Sequence, residues 1–372
     1  MLKTELCDML GIEYPIIQAG MGPFSNNKLC IATANAGILG LLSTSGLDTK
    51  EGRPKIYKHF CETGGASPDD DREVILEKIF DQTFEGTKES GGTFGINVMV
   101  SAEKKASAEQ IIDAAIKARE ENPDAQDRFK VVFTSAGDPM PWGDKIKSAG
   151  FKWLHVVPSV KGALRCKKAG VDLIVASGHE GGFHTSWEPV HSMILLPAVV
   201  EELAGSGIPV VGAGGFCDGK TLAAALALGA AGAQMGTRFL ATKESDFAQL
   251  WKEGVVNTQD RGTLVARGFV GPARWLKNAV SLEHQENTLK KAPGVFLGKP
   301  DDGMSQGAAE LIKFEEDAIS AVLDGDAERA LMAGGECAQR VDDLPPVKEL
   351  VDRMVKEATD VIEGLPKKYL AG

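Results

Sequence analysis

Eight short β-rich runs, separated mostly by helical patterns, recur along the first 240 residues of this 372-residue chain, and the runs are near-continuously apolar. The alternation predicts an α/β protein with a parallel sheet, because strand, helix and next parallel strand join by a right-handed crossover. Eight repeats of that kind point to closure as a (β/α)8 TIM barrel. An open doubly wound sheet is the alternative that the same alternation allows.

The runs are PIIQAG (15–20), GILGLLST (37–44), TFGINVMV (93–100), KVVFTSAG (130–137), KWLHVVPS (152–159), DLIVASG (172–178), PVVGAGG (209–215) and GAQMGTRF (232–239). Between them, AEQIIDAAIKARE, SVKGALRCKKAG, SMILLPAVVEELAGSG and DGKTLAAALALGAA read as amphipathic or buried helices. The helix after Gly215 has an N-cap candidate in Asp218, and Gly229 marks its end.

Two segments break the repeat. Residues 45–92 form an insertion after the second strand, with REVILEKIFDQTF its helical part, on the face where barrel active sites form; a lid and a passive excursion are both open readings. The barrel therefore spans 1–245, and 246–372 reads as a mainly helical extension packed on it rather than an independent domain. Its clearest helices are AAELIKFEEDAISAVL and PVKELVDRMVKEATDVI.

Composition narrows the partners. The apolar fraction of 43% and charged fraction of 25% are those of an ordinary globular protein. Net charge is −11, pI is about 5.2, and no basic run is interleaved with aromatics, so nucleic acid is not an expected partner. No apolar stretch approaches the ~20 residues of a membrane span, and the start, MLKTELCDML, is too charged for a secretory signal. The six cysteines, Cys7, Cys30, Cys61, Cys166, Cys217 and Cys337, are scattered without a C-x-x-C pair. They argue against a zinc or disulfide framework and fit a reducing cytoplasm. A homo-oligomer is compatible with the sequence, which does not specify one.

The glycines cluster where strands end: Gly20, Gly22, Gly178, Gly181, Gly182, Gly214, Gly215 and Gly236. In a barrel those ends form one face, and the loops after the seventh and eighth strands, here GAGGFCDG and MGTRF, commonly bind phosphate through backbone N–H groups. A dinucleotide fingerprint starting at Gly212 and Gly214 fails, because its third glycine is Cys217. HEGGFH is not a zinc helix either: His179 and His184 stand five apart with Gly181 and Gly182 between them. The glycines are better explained as letting bare backbone close on a flat or phosphorylated ligand, with a histidine pointing at it.

GIEYPIIQAGMG, GINVMV, HEGGFH and GAGGFCDGKTLAAALALGAAGAQMGTRFLATKES stand in an order and spacing that resembles the nitronate monooxygenase (2-nitropropane dioxygenase-like) family of FMN-dependent barrels. That family also contains flavin-dependent enoyl-thioester reductases and NAD(P)H:quinone reductases. The resemblance runs through 5–245 and returns in LMAGGECAQRVDDLPPVKELVDRM. It implies that Met21 lies against the isoalloxazine and that Asn97 hydrogen-bonds the flavin. Gly181 and Gly182 would admit the cofactor, and Gly214, Gly215, Gly236 and Thr237 would cradle its phosphate. His184 falls on the family's active-site histidine; His179 and His191 have no such support. The chain departs from the family at Phe183, where many members have glycine, at Ser177 in place of Gln or Asp, and at Val156, where some carry lysine.

The resemblance implies an FMN-dependent oxidoreductase, with the oxidative denitrification of alkyl nitronates by O₂ as the first expectation. In that reaction His184 would stabilise the anion or remove the α-proton of a neutral nitroalkane, a task for a group titrating near neutrality. The alternative is a reductase that draws on NAD(P)H and acts on an enoyl-CoA or a quinone. The insertion and the GGFHTSWEPVH loop hint at a larger substrate than a nitroalkane. A non-redox phosphate barrel would need a lysine or paired carboxylates at strand ends, and Glu180 and Asp138 look isolated.

Overall fold

The computed structural model describes residues 2–370 apart from 302 and 304. Its strands are β1 (Ile16–Gln18), β2 (Gly40–Ser43), β3 (Phe94–Met99), β4 (Phe129–Ser135), β5 (Lys152–Val157), β6 (Leu173–Ser177), β7 (Phe183–His184), β8 (Val210–Ala213), β9 (Gly232–Met235), β10 (Thr263–Gly268) and β11 (Gly271–Leu276). Eight of them pair in the order β1-β9-β8-β6-β5-β4-β3-β2, all parallel, and a bridge between Ile17 and Leu39 brings the two ends of the sheet together. The sheet is thus a closed barrel rather than an open doubly wound one. All eight sequence runs supply a barrel strand; the last is shorter than expected, because Thr237–Leu240 turns into helix.

Period-two alternation splits each strand between two cores. Leu41, Phe133, Leu154, Val175 and Val211 pack together inside the barrel, while Leu42, Val132, Trp153, Ile174 and Val210 pack outward under the helices. A strand buried on both faces has no polar side to show, which is why the runs read as continuously apolar. The helix Glu5–Leu10 adds Leu6 and Leu10 to the inner core, and Thr4 Oγ1 donates to Ala231 O just before β9.

The insertion is smaller than its 45–92 span. Helix Arg72–Thr87 packs between Asn27–Asn35 and Lys105–Glu121, so it is the barrel's own second helix, and the excursion reduces to the stretch around Pro54–Thr63. The eighth helix comes from far along the chain. Val347–Tyr369 packs on Gly219–Ala227 and on Asn27–Asn35, with Val347, Leu350, Val351, Met354 and Ala358 forming its buried stripe. Its Glu357 accepts from Gly219 N at 2.8 Å, at the start of the helix that Asp218 caps.

Residues 246–346 are not simply helical. They contribute the antiparallel hairpin β10–β11, and β7 joins it from the barrel's sixth loop to make a three-stranded sheet in the order β10-β11-β7. A second core of Phe247, Trp251, Leu264, Trp275 and Ile319, with Phe24 and Leu240 from the barrel, holds this cap over the strand ends. No helix among the described residues is long and apolar enough to cross a membrane.

Candidate active site

Between the barrel's strand ends and the cap lies a cavity of about 1500 Å³. Its floor is nearly bare backbone. A Cβ on Gly182 would stand 2.6 Å from Gly335 N and 2.8 Å from Gly334 C, so only glycine lets these two segments touch. Gly214 has φ +84°, and a Cβ there would meet Gly178 O at 2.6 Å; Gly215 follows at φ +85°. Both positions need glycine's left-handed freedom.

The loop from Gly178 to His184 is clamped on two sides. Glu180 accepts from Ser192 N at 3.0 Å and Ser192 Oγ at 3.1 Å, which ties it to the start of helix Ser192–Glu202. From the cap, buried Arg274 donates to His179 O at 2.9 Å and pairs with Glu336 at 3.0 Å. Glu336 N in turn donates to Glu180 O at 2.9 Å, and Gly335 N to Thr237 Oγ1 at 2.9 Å. With both sides held, Phe183 takes φ +62°, a left-handed conformation costly for a bulky residue. Its ring stands 4.3 Å from that of His184 and meets Trp275 edge-on at 5.4 Å.

His184 pairs with Ala273 across the β7–β11 ladder and lines the cavity; its Nδ1 is buried without a hydrogen-bond partner. Burial, and then the charges of Arg53 and Arg267, push its pKa down to about 3. The expectation of a group titrating near neutrality is therefore not met: His184 is a neutral imidazole. Burial likewise lowers His155, His179 and His284 to about 4 each. Each folded-state value lies below the unfolded one, so the stabilisation is complete above about pH 6.5 and is lost as pH falls towards 3–4. Thermal scans across pH should show a plateau near neutrality and a steep acid limb, with up to about 1.4 kcal/mol per pH unit for each proton taken up. A melting temperature flat from pH 7 down to 4 would refute it.

The nine residues singled out in the sequence meet here. Met21, Asn97, Gly181, Gly182, His184, Gly214, Gly215, Gly236 and Thr237 all line this one cavity. Val156 and Ser177 line it too, and His191 stands outside, 3.6 Å from Glu180. The two isolated carboxylates are occupied: Glu180 as described, and Asp138 by a two-point pair with Arg165 at 2.7 and 2.6 Å that holds its carboxyl below the usual range. Among the described residues no lysine lines the cavity. Sequence reasoning missed Gly334 and Gly335, whose signal was the glycine pair in LMAGGECAQR, and it missed Arg267 and Arg274, which gave none.

Backbone stripped of side chains beside His184 leaves room for a flat or phosphorylated ligand. The chain belongs to the nitronate monooxygenase family, whose model matches residues 3–357; the family is one of flavin-dependent oxidoreductases. It is 30% identical, over 98% of both chains, to the (3aS,4S,5R,7aS)-5-hydroxy-7a-methyl-1-oxo-octahydro-1H-indene-4-carboxyl-CoA dehydrogenase of Rhodococcus jostii. It is also 30% identical to a probable nitronate monooxygenase of Staphylococcus aureus, over 74% of this chain and 79% of that one. Among solved structures, FabK from Thermotoga maritima superimposes with a TM-score of 0.77 at 28% identity, covering 99% of this chain and 100% of that chain.

Proposed function

We propose that this protein is an FMN-dependent oxidoreductase acting on an acyl-CoA thioester with a bulky apolar acyl group, with NAD(P)H as its redox partner. The observation that carries the reading is the cavity. At about 1500 Å³ it exceeds the roughly 300–1,000 Å³ of a single-ligand site, so a cofactor and a large substrate fit together. The residues present fit FMN. Gly181, Gly182, Gly214, Gly215 and Gly236 line the cavity with backbone free of side chains, with Thr237 beside them. Met21 and Asn97 line the same cavity and would contact the ring of a bound flavin, and Gln234 Oε1 is a buried acceptor without a partner. Bound FMN supplies two-electron chemistry, taking or giving a hydride.

The chain's own residues choose the substrate. Above the glycine floor, Phe183, Trp187, Phe269, Val270, Pro300 and Ile312 make an apolar, largely aromatic chamber. The cavity's two arginines, Arg165 and Arg267, are each matched by a carboxylate, Asp138 at 2.6 Å and Asp301 at 2.7 Å. A neutral imidazole and a compensated arginine suit an uncharged acyl group and orient its carbonyl by hydrogen bonding. The Rhodococcus jostii relative, which matches end to end, is named for a ring-bearing acyl-CoA. Six buried, unbridged cysteines fit a reducing cytoplasm.

Oxidative denitrification of nitronates is the second reading. The family match and the Staphylococcus aureus relative favour it. Anaerobic mixing of FMN-loaded protein with NADH, NADPH, an alkyl nitronate or a cyclic acyl-CoA, followed by flavin absorbance, separates the two. Bleaching by a nicotinamide and recovery on adding an unsaturated acyl-CoA is the expected result. Reduction by nitronate alone, with nicotinamides inert, would replace the first reading with the second.

A further inference from the structure

The cavity opens to solvent over the loops that follow β4 and β5. Ala136, Gly137, Asp138, Pro158 and Arg165 all line it and are exposed. Helix Val160–Ala169 starts at this lip with Ser159 as its N-cap, and Gly162 in its first turn also lines the cavity.

That helix carries charge of one sign. In VKGALRCKKA four residues are basic, Lys161, Arg165, Lys167 and Lys168, and none is acidic, within a chain of net charge −11. Ala163 and Cys166 are its buried side, so the helical period sets Lys161, Leu164, Arg165 and Lys168 together on the opposite face. All four are exposed, and Leu164, at 41%, is an apolar side chain held among cations. Lys145 and Lys147 of the preceding helix are paired with Asp113 and Asp172 at 2.7 and 3.2 Å, whereas Lys161 and Lys168 have no carboxylate partner among the described residues.

Arg165 is aimed by the lip itself. Its Nε and Nη2 donate to the two Asp138 oxygens at 2.7 and 2.6 Å, which leaves the N–H donors of Nη1 uncommitted. Asp138 also accepts from Met140 N at 3.1 Å, and the Met140 side chain stands exposed beside the pair.

We propose that this face binds the phosphorylated adenosine end of coenzyme A, with the acyl group in the chamber and the pantetheine arm crossing the lip at Pro158 and Gly162. The proposal rests on the thioester reading. The chamber around Phe183 and Trp187 is apolar and its arginines are matched, so phosphates drawn into it would lose hydration with nothing to replace it. They belong where the cavity meets water, and the cations stand there. Lys161, Arg165 and Lys168 spread over two turns, about 10 Å along the axis, which suits phosphates set apart on one ligand rather than a single small anion. Leu164 and Met140 give the adenine an apolar surface. Exposed cations attract and steer such a ligand through Coulomb forces that salt screens. The phosphorylated ribose of NADPH has the same chemistry, and the test separates the two.

The test is the double variant Lys161→Glu, Lys168→Glu in FMN-loaded protein, at exposed positions outside both the cavity lining and the core. KM for an acyl-CoA should rise roughly tenfold with kcat changed less than about twofold. KM for the same acyl group on pantetheine, which ends before the nucleotide, should stay within about twofold. In the wild type, raising salt from about 0.05 to 0.5 M should raise KM for the CoA thioester and spare the pantetheine one. Equal effects on both thioesters, or none on either, overturn the proposal. A rise in KM for NADPH but not NADH, with acyl-CoA unaltered, assigns the face to the nicotinamide cofactor and also overturns it. If the wild type turns over no thioester, the proposed function fails, and calorimetry with adenosine 3′,5′-bisphosphate decides the face. Binding that the double variant weakens supports the assignment; binding that it leaves unchanged, or no binding, overturns it.

Discussion

Replacing His184 with alanine is expected to lower kcat for the acyl substrate by about 10²–10⁴-fold, or roughly 3–5 kcal/mol of transition-state stabilisation, and to leave flavin binding within about twofold. The separation follows from position. His184 is held by the backbone ladder to Ala273, which an alanine maintains, and Gly214, Gly215 and Gly236 lie on other loops, while Gly182 is fixed by its own contact with Gly334 and Gly335. On the proposed acyl-thioester function, what is lost is the group that would present a proton to the acyl carbon and orient its carbonyl. The fold should not suffer, because the substitution removes a buried nitrogen that has no partner. Stopped-flow traces should therefore show normal nicotinamide-driven bleaching and a stalled reoxidation by acyl-CoA. Equal slowing of both half-reactions would mean that His184 shapes the cofactor site instead, and would take it out of the proton path.

How much of this was legible in the chain depended on whether one residue could report its own environment. Strands such as β6 and β8 were legible because burial on two faces leaves no room for a polar residue. The glycines were legible because a φ of +84° at Gly214, or backbone contact at Gly182, excludes almost anything else. Arg267 and Arg274 were not: an arginine in sequence reads as surface, and theirs are buried only because Asp301 and Glu336 arrive from far along the chain. TLVARG and GPARWL consequently hid a hairpin. The eighth helix was masked by order, since the cap separates Val347–Tyr369 from β9. Glu180 seemed isolated because its carboxylate is held by the helix N-terminus at Ser192 and its carbonyl by Glu336 N of the cap, neither of which is a sequence neighbour. The neutrality of His184 is of the same kind: the residue type suggested titration near 7, and enclosure by the cap decided otherwise.

Phe183→Gly is expected to shift the preference between acyl thioester and small nitronate by roughly two orders of magnitude towards the nitronate, at little cost in stability. At φ +62° a residue with a Cβ bears about 1–2 kcal/mol of strain that glycine would relieve. The half-buried ring's contacts with Trp275 and His184 are worth a comparable amount, so the melting temperature should move by only a few degrees. A strained aromatic kept where glycine would fit more easily is there for its ring. Standing 4.3 Å from the imidazole, that ring fills the space beside His184 and helps to keep water from it. Without it the imidazole gains solvent, its pKa climbs from about 3 towards its ordinary 6.5, and a small anion finds both room and a partial positive charge. The bulky acyl group loses a wall of its chamber, a loss that should fall mainly on KM. Measuring kcat/KM for both substrates at pH 6 and 8 distinguishes the two effects. A gain for nitronate that is larger at pH 6 reports the charge, an equal gain at both reports the space, and no gain at either would show that Phe183 selects nothing.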